Sequence, residues 1–233
     1  MAEPLNTNNF YGQVRICEDV ASDYKGIVID HIHDYFNAQQ VSNEESAALT
    51  FAISGGSSGK ICLKSLCSSK EHFLEQTEWL LVDERCVEKT HQDSNYNMIS
   101  SIIEEYGLNK NSIYPLNCND ANSYESILLR KNLEIIQLGF GPDGHCASLF
   151  PNSSALQTRP SQLVVKNSDP SGLNRHPRIT MTLEAIKKFK LAIICVIGEE
   201  KKDALHAISQ GKLLPAAMVK ADNVIWLIDE KAI

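Results

Sequence analysis

Apolar residues in this chain recur with two periods, and the alternation between them lays out the elements. Over residues 19 to 36, Val20, Tyr24, Ile27, Val28, Ile32, Tyr35 and Phe36 fall three and four apart, which predicts an amphipathic helix. Residues 47 to 53 form a short apolar run that predicts a strand; it breaks at Ser54-Gly55-Gly56-Ser57-Ser58-Gly59-Lys60, and a helix is expected to follow to about residue 68. A second strand over 79 to 82 ends in Asp83-Glu84-Arg85. Helical spacing returns over 95 to 106, with Gly107 as a stop, and over 121 to 132. The run from 133 to 138 reads as a strand entering Gly139, even with Glu134 and Gln137 in it. Beyond it come strands near 163 to 166 and 178 to 182, a short helix over 183 to 189, a buried strand over 191 to 197, a helix over 201 to 209 and a last strand over 224 to 228.

Strands therefore alternate with helices, and several strands are unbroken apolar runs. Such runs belong to sheets covered on both faces. The pattern predicts an α/β fold with a mainly parallel sheet flanked by helices on both faces. In that architecture the polar residues just past the strand carboxyl ends meet in one crevice. Three segments occupy that position: 54 to 60, 83 to 85 and 139 to 145. With no repeat, low-complexity tract or linker-like composition, residues 1 to 233 are expected to form a single domain.

Composition narrows the partners. Hydrophobic residues make up 43% and charged residues 22% of 233, the composition of a globular rather than a disordered chain. The net charge of -7 disfavours a nucleic-acid partner and leaves room for a small anionic substrate held by local positive charge. No apolar run reaches membrane-spanning length, and residues 1 to 9 lack an apolar signal core, so a cytoplasmic protein with no membrane partner is expected. Seven cysteines, an odd number without a Cys-x-x-Cys pair, read as reduced thiols that pack mostly as small hydrophobes.

The densest chemistry lies in Gly139-Phe140-Gly141-Pro142-Asp143-Gly144-His145, where a strand ends in glycines and then offers a carboxylate and an imidazole. A histidine there can act as a general base on water. A plain glycine turn with a surface histidine is the competing reading. No metal-ligand spacing surrounds His145. Arg85 offers a rigid fork for a phosphate, carboxylate or oxyanion, and Asp83 or Asp143 is available to orient the base or the arginine; the sequence leaves that choice open. Ser54-Gly55-Gly56-Ser57 brings backbone N–H groups and a helix start toward an anion, in a spacing that is neither a Walker loop nor a dinucleotide fingerprint. Arg175, His176 and Arg178 give the 168 to 178 segment local positive charge suited to a phosphate.

Taken together, in order and spacing, these motifs resemble the 6-phosphogluconolactonase family of the glucosamine/galactosamine-6-phosphate isomerase superfamily. The resemblance runs over nearly the whole chain and includes Asp93-Ser94-Asn95-Tyr96, Ser148-Leu149-Phe150-Pro151, Arg178-Ile179-Thr180 and Gly198-x-x-Lys201. It implies a Rossmann-like sheet and hydrolysis of a phosphosugar lactone without metal or organic cofactor; a monomer is expected, although the sequence does not give the oligomeric state. It also implies His145 as catalytic base, with Arg85 and Asp83 beside it, and Gly55, Gly56, Ser57 and Arg178 on the substrate phosphate; Asp143 joins the catalytic set as the other carboxylate able to orient the base or the arginine. The family's Ser-Pro-Lys-Pro-Pro loop is replaced here by residues 168 to 177, so its lysine is missing and Arg175 is the available substitute. A glucosamine-6-phosphate deaminase is the rival enzyme, but residues 146 to 151 lack the carboxylate that family places there. A non-catalytic sugar-phosphate-binding module is the rival from another class.

Overall fold

The structure is a computed structural model that describes residues 5–42 and 48–233. In chain order its elements are β1 (Gln13–Cys17), α1 (Val20–Ser42), β2 (Thr50–Ile53), α2 (Gly56–Cys67), β3 (Glu78–Leu81), β4 (Asp83–Arg85), α3 (Asn95–Glu105), β5 (Ile113–Tyr114), α4 (Ala121–Leu128), β6 (Leu133–Gly139), β7 (Val164–Asn167), β8 (Arg178–Met181), α5 (Leu183–Ile186), β9 (Leu191–Val196), α6 (Lys202–Ser209) and β10 (Asn223–Asp229). Seven strands pair in the order β1-β10-β9-β6-β2-β3-β5, all parallel. Every residue of β2 and β9 is buried, so both faces of this sheet are covered, as the apolar runs require.

The expected helices form, with shifted ends. The helix expected over 19 to 36 extends to Ser42, and its buried stripe is Val20, Tyr24, Val28 and Ile32, spaced four apart. The strand expected from residue 47 starts at Thr50; residue 47 itself lies outside the described residues. α4 stops at Leu128, where Tyr124 turns inward and its hydroxyl both donates to Leu81 O (2.9 Å) and accepts from Leu81 N (2.7 Å), tying the helix to β3. β1 is an edge strand with mixed polarity, which is why no apolar run announced it.

Two features differ from the sequence expectation. Asp83-Glu84-Arg85 is not the tail of β3 but a strand of its own, β4, in a second, antiparallel sheet of order β4-β8-β7. Cys86 and Cys118 are joined in a disulfide across a sequence separation of 32, which corrects the reading of all cysteines as free thiols. Their Cα atoms stand 5.6 Å apart because the chain beyond β4 runs beside the segment beyond β5, a proximity no spacing rule encodes. The other five cysteines are free and buried.

In the main sheet the chain order turns between β2 and β6: β3 and β5 build out on one side, β9 and β10 on the other. The turns after β2 and β6 are therefore neighbours, and Ser54 N donates to Gln137 O at 3.2 Å across the gap. A crevice at such a switch point is where open α/β sheets hold ligands.

Candidate active site

A cleft of about 170 Å³ opens at this point. Its walls include Gly55 to Ser58 after β2, Asp83 and Arg85 from β4, Gly139 to Pro142 and His145 after β6, Asn174 and Arg178 from the β7–β8 hairpin, and Lys201 ahead of α6. All three segments singled out in the sequence thus meet in one place.

His145 sits on a tight turn closed by Gly141 N to His145 O (2.8 Å) and Gly144 N to Gly141 O (2.9 Å). Its ring folds back over the chain, and a Cβ on Gly141 would stand 2.1 Å from Nδ1, so that position needs glycine. Nδ1 lies 2.5 Å from Asp143 Oδ1, and the same oxygen accepts from His145 N at 3.2 Å. Phe150 packs against the ring with centroids 5.0 Å apart. Nε2 bonds to no group among the described residues. Burial pushes the Asp143 carboxyl up, but the hydrogen bond and charge of His145 and the backbone N–H groups outweigh it and hold the carboxyl below its ordinary range. Asp143 is thus ionised at neutral pH and fixes the ring with Nδ1 toward itself.

Asp83 does something different. It is buried; Oδ2 accepts from Ser148 Oγ (2.5 Å), and Oδ1 (3.2 Å) and its carbonyl (2.8 Å) accept from Asn95 Nδ2. It reaches neither His145 nor the Arg85 guanidinium, so of the two aspartates it is Asp143 that meets the base. Asn95 in turn crowds Gly55, where a Cβ would lie 1.8 Å from its Oδ1.

Arg85 and Arg178 are cross-strand partners in the β4–β8 ladder. Arg85 Nη1 donates to Asp93 O (2.5 Å) and Arg178 Nη1 to His176 O (2.9 Å), but neither makes an ion pair with a carboxylate among the described residues. Burial, then the charge of Arg85, pull the Arg178 guanidinium below the ordinary arginine value. Asp83, Glu84 and Asp93 offset part of this charge, but two adjacent cations with no direct carboxylate ion pair in a half-enclosed cleft suit an anion. Opposite them, α2 begins at N-cap Gly55 with no side-chain cap, leaving its first amides to an anion beside the Ser57 and Ser58 hydroxyls.

Arg175 is exposed and does not line the cleft; Asn174 lines it instead. Lys201 lines it too, delivered by Gly198 at φ +99° just past β9. The Gly198-x-x-Lys201 pattern was the sequence signal for it, although no role attached to the lysine.

Glu84, between the two residues of interest, is buried and faces away from the chemistry. Oε1 accepts from Arg85 N (2.7 Å) and Asn95 N (2.8 Å), and Oε2 from Ser94 Oγ (3.0 Å) and Tyr96 N (2.8 Å). It holds the first turn of α3 against β4 and adds a negative charge at that helix's start. Burial raises its carboxyl above the ordinary range against those four donors. Glu84→Gln turns one acceptor oxygen into a donor facing Tyr96 N–H. We expect a loss of about 2–3 kcal/mol, read as a Tm lowered by roughly 5–10 °C in calorimetry; an unchanged Tm would remove Glu84 from this role.

A histidine braced by a carboxylate at the strand ends shares the cleft with paired arginines and an open helix start, an arrangement of the α/β class suited to catalysis. The model of the glucosamine-6-phosphate isomerases/6-phosphogluconolactonase family matches residues 25–226, and the chain belongs to that family. It is 29% identical over 215 residues to a 6-phosphogluconolactonase of Chlamydia pneumoniae, covering 85% of this chain and 82% of that one. It is 27% identical over 264 residues to a probable 6-phosphogluconolactonase of Arabidopsis thaliana, covering 97% and 94%. The crystal structure of a 6-phosphogluconolactonase from Thermotoga maritima superimposes with a TM-score of 0.79 at 22% identity, over 94% of this chain and 99% of that chain, and shares the fold.

Proposed function

We propose that this protein hydrolyses 6-phospho-D-glucono-1,5-lactone to 6-phospho-D-gluconate, the second step of the oxidative pentose phosphate pathway. The observation that carries the proposal is His145 itself: Asp143 occupies Nδ1, and Nε2 is left for a water in a cleft walled by two adjacent arginines.

A lactone is an activated ester, so no covalent nucleophile is needed. Water on Nε2 attacks the carbonyl carbon and its proton passes to Nε2. The C–O bond to the ring oxygen then breaks, and the proton on Nε2 goes to that departing oxygen. Arg85 stabilises the oxyanion in between. Arg178, Ser57 and the amides of Gly55 and Gly56 take the 6-phosphate, with Lys201 as a third cation at the rim. Gripping the remote phosphate places the carbonyl against the water. Asp83 supports the site through Asn95 and Ser148 rather than by touching substrate. In the same reading residues 1 to 233 act as one domain, as a monomer, in the cytoplasm, without cofactor.

The test is direct. The lactone is generated in situ and its hydrolysis compared with the spontaneous rate; clear acceleration is expected. No acceleration, together with release of ammonia from glucosamine 6-phosphate, would move the protein to the deaminase branch of its family.

A further inference from the structure

The residues between β7 and β8 carry a histidine that the catalytic scheme leaves idle. His176 Nε2 lies 2.9 Å from Asp93 Oδ2, which joins the hairpin to the segment leading into α3. The backbones of the same two residues hold the two arginines: Asp93 O accepts from Arg85 Nη1 and His176 O accepts from Arg178 Nη1. The hydrogen bonds therefore run in one line, from Arg85 through Asp93 and His176 to Arg178. Cys86 N to Pro177 O (2.9 Å) closes the line from the other side. His91 completes the surroundings: its Nδ1 accepts from Asp93 N at 3.0 Å, and its ring packs edge-on against that of His176 at 5.8 Å.

We infer that the Asp93–His176 pair is a positioning clamp that, through the His176 carbonyl, sets Arg178 for the phosphate end of the substrate. This rests on the lactonase reading of the cleft. The pair is partly exposed, with side chains 40% and 19% accessible for Asp93 and His176, so it adds little to global stability. Its value is geometric: the Arg178 guanidinium bonds to the His176 oxygen whose place the pair fixes, and a displacement of an ångström at a substrate grip weakens that grip by a large factor. Because the anion is the group gripped, losing the clamp should show in phosphate recognition and spare the hydrolytic step.

The experiment compares wild type with His176→Ala, His176→Gln, Asp93→Ala and the double alanine variant. Three readouts are taken: kcat and KM on the phosphorylated lactone, rates on glucono-1,5-lactone, which has no phosphate, and calorimetric binding of 6-phosphogluconate. His176→Ala is expected to raise KM about tenfold, with kcat within about twofold of wild type. Glutamine, whose amide can still donate to Asp93, should recover most of that loss. The double variant should be no worse than either single one, since both break the same link. Rates on the phosphate-free lactone should not move. Unchanged KM in His176→Ala, equal losses on both lactones, or additive effects of the two alanines would each overturn the clamp. Binding of 6-phosphogluconate keeps the two proposals apart. If wild type turns over neither lactone, the lactonase reading fails, and a tenfold weaker Kd in His176→Ala still supports the clamp while an unchanged Kd rejects it.

Discussion

Replacing His145 with alanine is expected to lower kcat/KM for lactone hydrolysis by about 10³-fold, within the range that a positioned general base supplies. Most of the loss should fall on kcat, because the phosphate grip lies elsewhere in the cleft. The fold should tolerate the change: the turn is held by backbone bonds from Gly141 and Gly144, and the imidazole, half-buried, packs against Phe150 and bonds to Asp143 on the same turn. Asp143→Asn is the companion variant. It keeps a neighbour at Nδ1 but gives up the charge that stabilises the ring once Nε2 has taken a proton, so a smaller loss is expected. The pH dependence of stability has a definite sign here. Asp143 is held below its unfolded value of 3.8, so its contribution is full above that value and is lost as pH falls through the lower folded one. A decline in activity at higher pH than this therefore reports another group. A variant lacking His145 that still accelerates hydrolysis at the wild-type rate would remove the histidine from the mechanism.

The second large effect is expected at Arg178. Arg178→Met removes a buried guanidinium that faces Arg85 across the ladder. Two charge-assisted hydrogen bonds to a phosphate contribute about 3 kcal/mol, so KM should rise about 10²-fold. Stability should move the other way or stay still. The variant gives up the bond to His176 O and the attraction of Asp83, Glu84 and Asp93, and relieves the burial of a cation and its repulsion with Arg85, which together outweigh the attraction and pull the guanidinium below its ordinary value. Substrate affinity and Tm are thus predicted to separate, which a residue that merely supports the fold would not show. A parallel fall in both would assign Arg178 to structure rather than to the substrate.

Much of this architecture was legible in the sequence because it rests on local signals. The parallel core strands are apolar runs, and their glycine-rich ends marked where the cleft would be. What escaped detection depends on contacts between distant segments. β4 is three polar residues that are a strand only because β8 lies beside them. The Cys86–Cys118 bond depends on how two loops run past each other. Asp83 and Asp143 were equivalent as letters; only the placement of Asn95 and Ser148 draws one of them away from the base. Arg175 looked like the replacement for a missing lysine, but it points out of the cleft, and Asn174, one residue earlier, lines it. Along an irregular segment no period exists to say which side chain faces inward.

The β7–β8 hairpin closes at Asn167 opposite Arg178, where the antiparallel ladder ends. Arg178 is thereby anchored in the ladder, while the residues from 168 to 177 hang from it as a loop. A segment pinned at its root in this way is a natural graft point. Its outer residues, 168 to 173, can be exchanged by design while Asn167, His176 and Arg178 keep their places. Altered selectivity toward the far end of a substrate is most readily sought in that loop.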